Sequence, residues 1–159
     1  MQEIYPPMKE QEIFSWNDGF KLGYSPMDKT HEEFVEIVNT MLTCSDSKLA
    51  QHLDSFVAHA EDHFSQELCW MKETDFPNTA CHAEQHDAVM HSVREVREHL
   101  RTGGDPEAAR RLAAALAEWF PGHADYLDAA LAQWMVKKRV GAVPIVLRRN
   151  LGFREDKRD

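Results

Sequence analysis

Apolar residues recur every three to four positions along most of this chain, in four long stretches parted by short breaks of proline, glycine, serine and asparagine. That period is the signature of amphipathic helices. The first predicted helix enters at Ser25-Pro26, with Ser as cap and Pro at the first helical position, and runs to about Cys44. Its stripe is His31, Phe34, Val35, Val38 and Leu42. Ser45-Asp46-Ser47 offers a turn and a new cap, and no Gly or Pro follows until Pro77, so a second helix spans about 47–73. It buries Leu49, Leu53, Phe56, His63, Glu67 and Met71. Phe76-Pro77-Asn78-Thr79 breaks it and caps a third helix, which carries His82, His86, Val89, Val93, Val96 and Leu100 to a stop at Gly103-Gly104. Asp105-Pro106-Glu107 repeats the proline-first entry, and the fourth helix extends to about Lys138. No strand pattern competes before Val140.

Short connections between long helices make sequential neighbours antiparallel, so the expected fold is all-α, an up-down-up-down four-helix bundle. Residues 1–24 show no sustained period and read as an N-terminal arm laid over the body. Residues 1–138 are then one domain and 139–159 a C-terminal extension. With 43% hydrophobic and 28% charged residues, 159 positions suit a single soluble domain with one sizeable core.

The net charge of −9 argues against nucleic acid as a partner, because phosphates would be repelled. That charge is uneven. Residues 137–159 hold 8 of the 18 basic groups and 3 of the 27 acids, a surplus of five positive charges, while the remainder carries 10 basic and 24 acidic groups, net −14. The basic tail reads as a solvated end or as a docking segment for an acidic protein partner or a second copy. Three cysteines, Cys44, Cys69 and Cys81, show no C-x-x-C spacing and cannot all pair, which suits a reducing compartment. The acidic start without an apolar stretch excludes an ordinary secretory signal, and no run is long enough for a membrane span. A cytoplasmic location is expected.

Five histidines and two carboxylates stand out on these helices: His31; His63 with Glu67; His82 with His86; His123 with Asp128. Residues four apart share a helix face, so His63/Glu67 and His82/His86 can each chelate from one helix. His123 and Asp128 are five apart, a step that turns the second group round the axis so that the two could reach different sides of a metal pair. If both carboxylates bridge, the seven residues fill nine of the twelve positions round two octahedral ions; one bridging oxygen takes two more, and one position stays open on one metal. That count favours a site for one small exogenous ligand over a closed structural site. Zinc fits poorly, whereas imidazole and carboxylate together suit iron, with manganese also compatible.

These residues, with Trp16, the segment Asp28-Lys29-Thr30-His31 leading to Asn39, His63-Phe64-Ser65-Gln66-Glu67 followed by Met71, and Trp119-x-x-x-His123 ending in Asp128, resemble the hemerythrins over about residues 13–135. The resemblance implies a non-heme di-iron centre with an oxo or hydroxo bridge. His82, His86 and His123 would hold one iron, His31 and His63 the other, and Glu67 and Asp128 would bridge them. Dioxygen would bind at the two-histidine iron, reversibly, for storage, delivery or sensing. The alternative is an enzyme using the same centre, a peroxidase or a reductase of oxygen or nitric oxide, for which His59 is the one spare acid or base in view. No Glu precedes a His by three residues and no H-E-x-x-H occurs, which sets aside the ferritin-like and zinc-protease patterns. His59 is expected as a core histidine, His52, His91 and His99 as surface residues, and Trp119, Phe34, Phe64 and Phe120 as bundle core. Pro121 inside the fourth helix predicts a kink.

Overall fold

The computed structural model describes residues 14–140, and the expectations for residues 1–13 and 141–159, including most of the basic tail, fall outside them. A 3₁₀ turn, Asp18–Phe20, precedes five helical segments: α1 (Ser25–Thr43), α2 (Asp46–Glu73), α3 (Thr79–Arg101), α4 (Glu107–His123) and α5 (Ala129–Val140). A five-residue π-helical turn, Ala124–Asp128, joins α4 to α5, so the fourth predicted helix is one rod with an altered turn in its middle. No strand occurs among the described residues.

The helices alternate in direction. Arg97 Nε donates to Asp54 Oδ1 at 2.8 Å and Arg94 Nη2 to Glu61 Oε1 at 3.4 Å, which runs α3 back along α2. Arg110, near the start of α4, meets the end of α1, while His31 near the start of α1 meets Asp128 beyond the end of α4. The result is the expected all-α helical bundle.

Several helix ends differ from the sequence reading in their chemistry. Ser25 is already helical and caps nothing; Tyr24 holds the cap position, and the Asp28 carboxylate accepts the Leu22 and Gly23 amides at 2.7 and 3.2 Å instead. Ser45 and Asn78 occupy cap positions without a side-chain cap bond. Asp105 does act at the fourth entry, its Oδ1 accepting the Glu107 amide at 2.9 Å. Gly103, at φ +89°, ends α3: its amide bonds the Leu100 carbonyl at 3.2 Å and the Gly104 amide bonds that of His99 at 2.8 Å, a Schellman closure. Arg110 takes the free carbonyls of Met41, Leu42 and Cys44 at the end of α1 and pairs with Asp46 Oδ1 at 2.7 Å. One guanidinium thus binds the α1–α2 connection to α4.

The interior divides into two apolar clusters. The larger includes Phe34, Val38, Leu53, Phe56, Leu116 and Phe120; the smaller gathers Leu22, Tyr24, Met27, Trp70, Met71, Leu131 and Met135. On α1 the buried edge includes Met41 rather than Leu42, and on α3 Met90 rather than Val89, a slip of one position that leaves Leu42 and Val89 half-buried. Residues of the N-terminal arm join both clusters: Phe14, Trp16 and Phe20 pack on the larger, Leu22 and Tyr24 belong to the smaller. Lys138 lies 4.6 Å over the Trp134 ring and Arg139 5.3 Å over Tyr24, so the first basic residues of the C-terminal stretch lie against aromatic faces of the bundle. No described helix is long and apolar enough to cross a membrane.

Candidate metal centre

Between the two apolar clusters lies a polar one. Every buried polar or charged residue among those described belongs to it: His31, His63, Glu67, His82, His86, His123 and Asp128, none more than 5% exposed. On α1, His31 falls between Met27 and Phe34; on α2, His63 and Glu67 fall between Ala60 and Trp70; on α4–α5, His123 and Asp128 fall between Phe120 and Ala129. All seven residues singled out from the sequence are brought together here.

The five imidazoles present Nε2 inwards, and each carboxylate divides its oxygens. Glu67 Oε1 faces His31 at 3.6 Å and His63 at 3.2 Å, while Oε2 faces His82 at 3.5 Å and His86 at 3.3 Å. Asp128 Oδ2 faces His31 at 3.1 Å, and Oδ1 faces His82 at 2.9 Å and His123 at 3.2 Å. Two sets of candidate ligand atoms result, Glu67/His82/His86/His123/Asp128 and His31/His63/Glu67. Despite these short separations, Nε2 of His31 and His82, Oε2 of Glu67 and Oδ1 of Asp128 are buried without a hydrogen-bond partner. Atoms this close that do not bond one another are aimed at shared points between them, and buried polar atoms left so are expensive unless an ion completes them. Imidazole and carboxylate donors in this number fit iron.

The electrostatics follow from burial opposed by mutual attraction. Desolvation disfavours charge on the two carboxylates, yet the surrounding histidines outweigh it and hold Glu67 and Asp128 well below the usual carboxylate range. Burial pulls the His31 and His82 imidazoles down, but the negative charge of Asp128 and Glu67 facing them pushes them up to about 10 and about 9. His86, where burial prevails, is lowered to about 3. The cluster therefore keeps both carboxylates ionised, as cation binding requires.

The five-residue step from His123 to Asp128 is resolved by the π-turn. In an α-helix it would rotate Asp128 by about 140° from His123. Pro121 cannot donate to the Ala117 carbonyl, the Ala124 amide is shared between the Phe120 and Pro121 carbonyls, and the Ala129 amide then bonds Ala124, five residues back. That extra residue per turn returns Asp128 to the face of His123. Pro121 is thus accommodated at the start of a π-turn, not by a simple break.

Aromatic rings enclose the cluster. Phe120 meets His31 edge-on at 5.2 Å and stacks on Phe34 at 4.8 Å; Phe34 lies 6.2 Å from His63. Phe64 stacks on His86 at 3.8 Å and Trp119 on His123 at 4.3 Å. His59 meets the His63 ring at 5.7 Å, but its Nε2 faces Glu33 Oε2 at 3.4 Å, away from the carboxylates; burial lowers its pKa. His52 is half-buried, whereas His91 and His99 are exposed as expected. Gln85, which sequence reasoning did not single out, places Oε1 2.9 Å from His123 Nδ1. Cys69 and Cys81 are exposed and Cys44 is half-buried, all three free; a bond to Glu73 pushes the Cys69 thiol up.

Comparison with known proteins points to a cation-binding family. The family model of the hemerythrin HHE cation binding domain matches residues 22–134. A bacteriohemerythrin of Ralstonia nicotianae is 35% identical over 126 residues, 79% of this chain and 91% of its own length. Those of Aquifex aeolicus and Stenotrophomonas maltophilia are 29% and 26% identical, over 71% and 76% of this chain and 90% and 80% of theirs.

Proposed function

Because the chain belongs to the hemerythrin family, we propose that it is a non-heme di-iron protein that binds dioxygen reversibly. His82, His86 and His123 would hold one iron and His31 and His63 the other, with Glu67 and Asp128 between them as shared ligands. The observation that carries this assignment is the division of carboxylate oxygens. Each carboxylate turns one oxygen to the His31 side and the other to the side of His82 with His86 or His123. Bound there, a pair of ferrous ions would supply the two electrons and the single open coordination position that reversible dioxygen binding needs.

The chain's own residues favour carriage over further chemistry. The two-histidine side is walled by Phe34 and Phe120, both at most 1% exposed, an apolar lining that suits a small apolar molecule better than water. Among the described residues the buried histidines and carboxylates are the seven alone; the buried Tyr24 hydroxyl belongs to the apolar cluster of Leu22 and Trp70, and half-buried His59 turns its Nε2 to Glu33 Oε2 at 3.4 Å. Proton delivery to a bound substrate, which a peroxidase or a reductase needs, has no group positioned for it there. The domain that does this spans residues 1–138, with 139–159 as a basic tail.

The test is to cycle the iron-loaded, reduced protein between air and argon while recording its visible spectrum. Appearance of an oxygenated band in air and its disappearance under argon, over several cycles, is the expected result. Failure of the band to form, or irreversible bleaching in the first cycle, overturns the carrier assignment.

A further inference from the structure

We propose that Gln85 is a positioning residue for His123: its amide oxygen accepts the Nδ1–H of the imidazole and thereby holds the Nε2 lone pair on the metal site. The inference rests on the metal site proposed above and adds a member to it from outside the seven ligands.

The chemistry of the contact sets the direction of the bond. Gln85 Oε1 lies 2.9 Å from His123 Nδ1. A carboxamide oxygen carries no proton, so Nδ1 must supply it, and a neutral imidazole protonated at Nδ1 has its lone pair on Nε2. That Nε2 is the atom facing the cluster, 3.2 Å from Asp128 Oδ1 and 3.0 Å from His86 Nε2. Trp119 fixes the ring plane from one side, stacked at 4.3 Å and 25°. Gln85 fixes rotation within that plane, and the two together leave the imidazole one orientation.

His123 has a particular need of such support. The Nδ1 atoms of His31, His63 and His82 are buried without a hydrogen-bond partner, so packing alone orients those rings. His123 is the last residue of α4, where the backbone changes to the π-turn, whereas the other four histidines lie within α1, α2 and α3. Gln85 and Trp119 also line an open groove of about 310 Å³ between α3 and α4, with Val89, Leu112 and Leu116. Solvent in that groove can reach Nδ1 once the amide is removed, and water neither fixes the tautomer nor the ring angle. Outer partners of ligating histidines act in this way on ring orientation and basicity.

The experiment uses the full chain loaded with cobalt(II), whose paramagnetism shifts the exchangeable imidazole N–H resonances out of the bulk proton spectrum. Gln85→Leu removes the acceptor, and Gln85→Glu keeps one of the same reach. In Gln85→Leu, one shifted N–H resonance should exchange with D2O much faster than in the parent, and cobalt affinity measured against a chelator should fall about 10- to 100-fold. Gln85→Glu should restore both. The melting temperature of the metal-free Gln85→Leu protein should match that of the metal-free parent, because Gln85 is solvent-exposed. Affinity within twofold of the parent together with unchanged exchange overturns the proposal. So does a fall in metal-free stability that accounts for the lost affinity, which would make Gln85 a fold residue. A parent chain that takes up no cobalt overturns the metal site and this inference with it, whereas uptake indifferent to Gln85→Leu overturns this inference alone.

Discussion

Phe120 shows how closely core packing and the site are joined in single residues. Its ring is 1% exposed, meets His31 edge-on at 5.2 Å, stacks on Phe34 at 4.8 Å, and receives Phe20 and Phe14 of the N-terminal arm at 5.5 and 6.2 Å. Phe120→Ala should cost about 3–5 kcal/mol, read from urea unfolding at constant metal loading. It should also shorten the life of the oxygenated spectrum, because the void opens beside the His31 imidazole. A cost below about 1 kcal/mol would place Phe120 outside the core. Residues whose role depends on their own helix were legible in the sequence. His63 with Glu67 and His82 with His86 needed only a count of four, and the aromatic residues only a period. Gln85 was not legible, because its bond to His123 crosses from α3 to α4 over 38 positions and leaves no spacing pattern in either helix. The place of His59 one turn before His63 predicts a core histidine; it packs on that ring but turns its Nε2 to Glu33.

Helix existence and extent followed from periodicity, while the means by which helices end did not. Proline, glycine and serine mark where a segment breaks, but which atom satisfies the free backbone groups depends on partners from other helices, as Arg110 does for α1. The end of α2 is the clearest case. Asp75 sits at φ +53°, with its amide toward the Lys72 carbonyl and the Phe76 amide on that of Met71 at 2.9 Å, a closure that ordinarily takes glycine. Asp75→Gly should therefore stabilise the protein by roughly 0.5–1 kcal/mol, since it relieves a left-handed conformation at an exposed position. A destabilisation on thermal melting would mean that the Asp75 side chain itself supports the turn. The reverse substitution applies in α4: a Cβ on Gly122 would meet no atom within 4 Å and the residue is exposed. Gly122→Ala should add roughly 0.5–1 kcal/mol by restricting the unfolded chain. If it lowered stability instead, glycine would be required for the passage from α-helix to π-turn. That turn was the part of the site furthest from sequence view, because a five-residue step in a regular helix separates two groups that here share a face.

At the scale of the whole molecule, seven polar side chains occupy the middle of the bundle, and the other buried residues among those described belong to the apolar core. Two ionised carboxylates and several unpartnered imidazole nitrogens in that position oppose folding unless something compensates them. A bound metal pair would do so, and because its candidate ligands come from α1, α2, α3 and the α4–α5 rod, it would also tie every helix of the bundle to a common centre. Stability and metal occupancy should accordingly be linked. An ion present at 1,000 times its dissociation constant adds about 4 kcal/mol to a fold that binds it only when native. For a domain of this size that is a rise in melting temperature of about 10 °C, and a chelated sample should melt lower than a loaded one by at least that margin. Glu67 is the residue shared by both sets of candidate ligand atoms, facing His31 and His63 with Oε1 and His82 and His86 with Oε2. Glu67→Ala should hold fewer than two irons per chain and lose most of the metal-dependent gain in melting temperature, while its metal-free form still melts cooperatively on the two apolar clusters that flank the site. Iron analysis and calorimetry on loaded and chelated samples measure both. Retention of two irons with the full thermal gain would remove Glu67 from its bridging role. Loss of cooperative melting in the metal-free variant would show that Glu67 supports the fold directly, not through the ions.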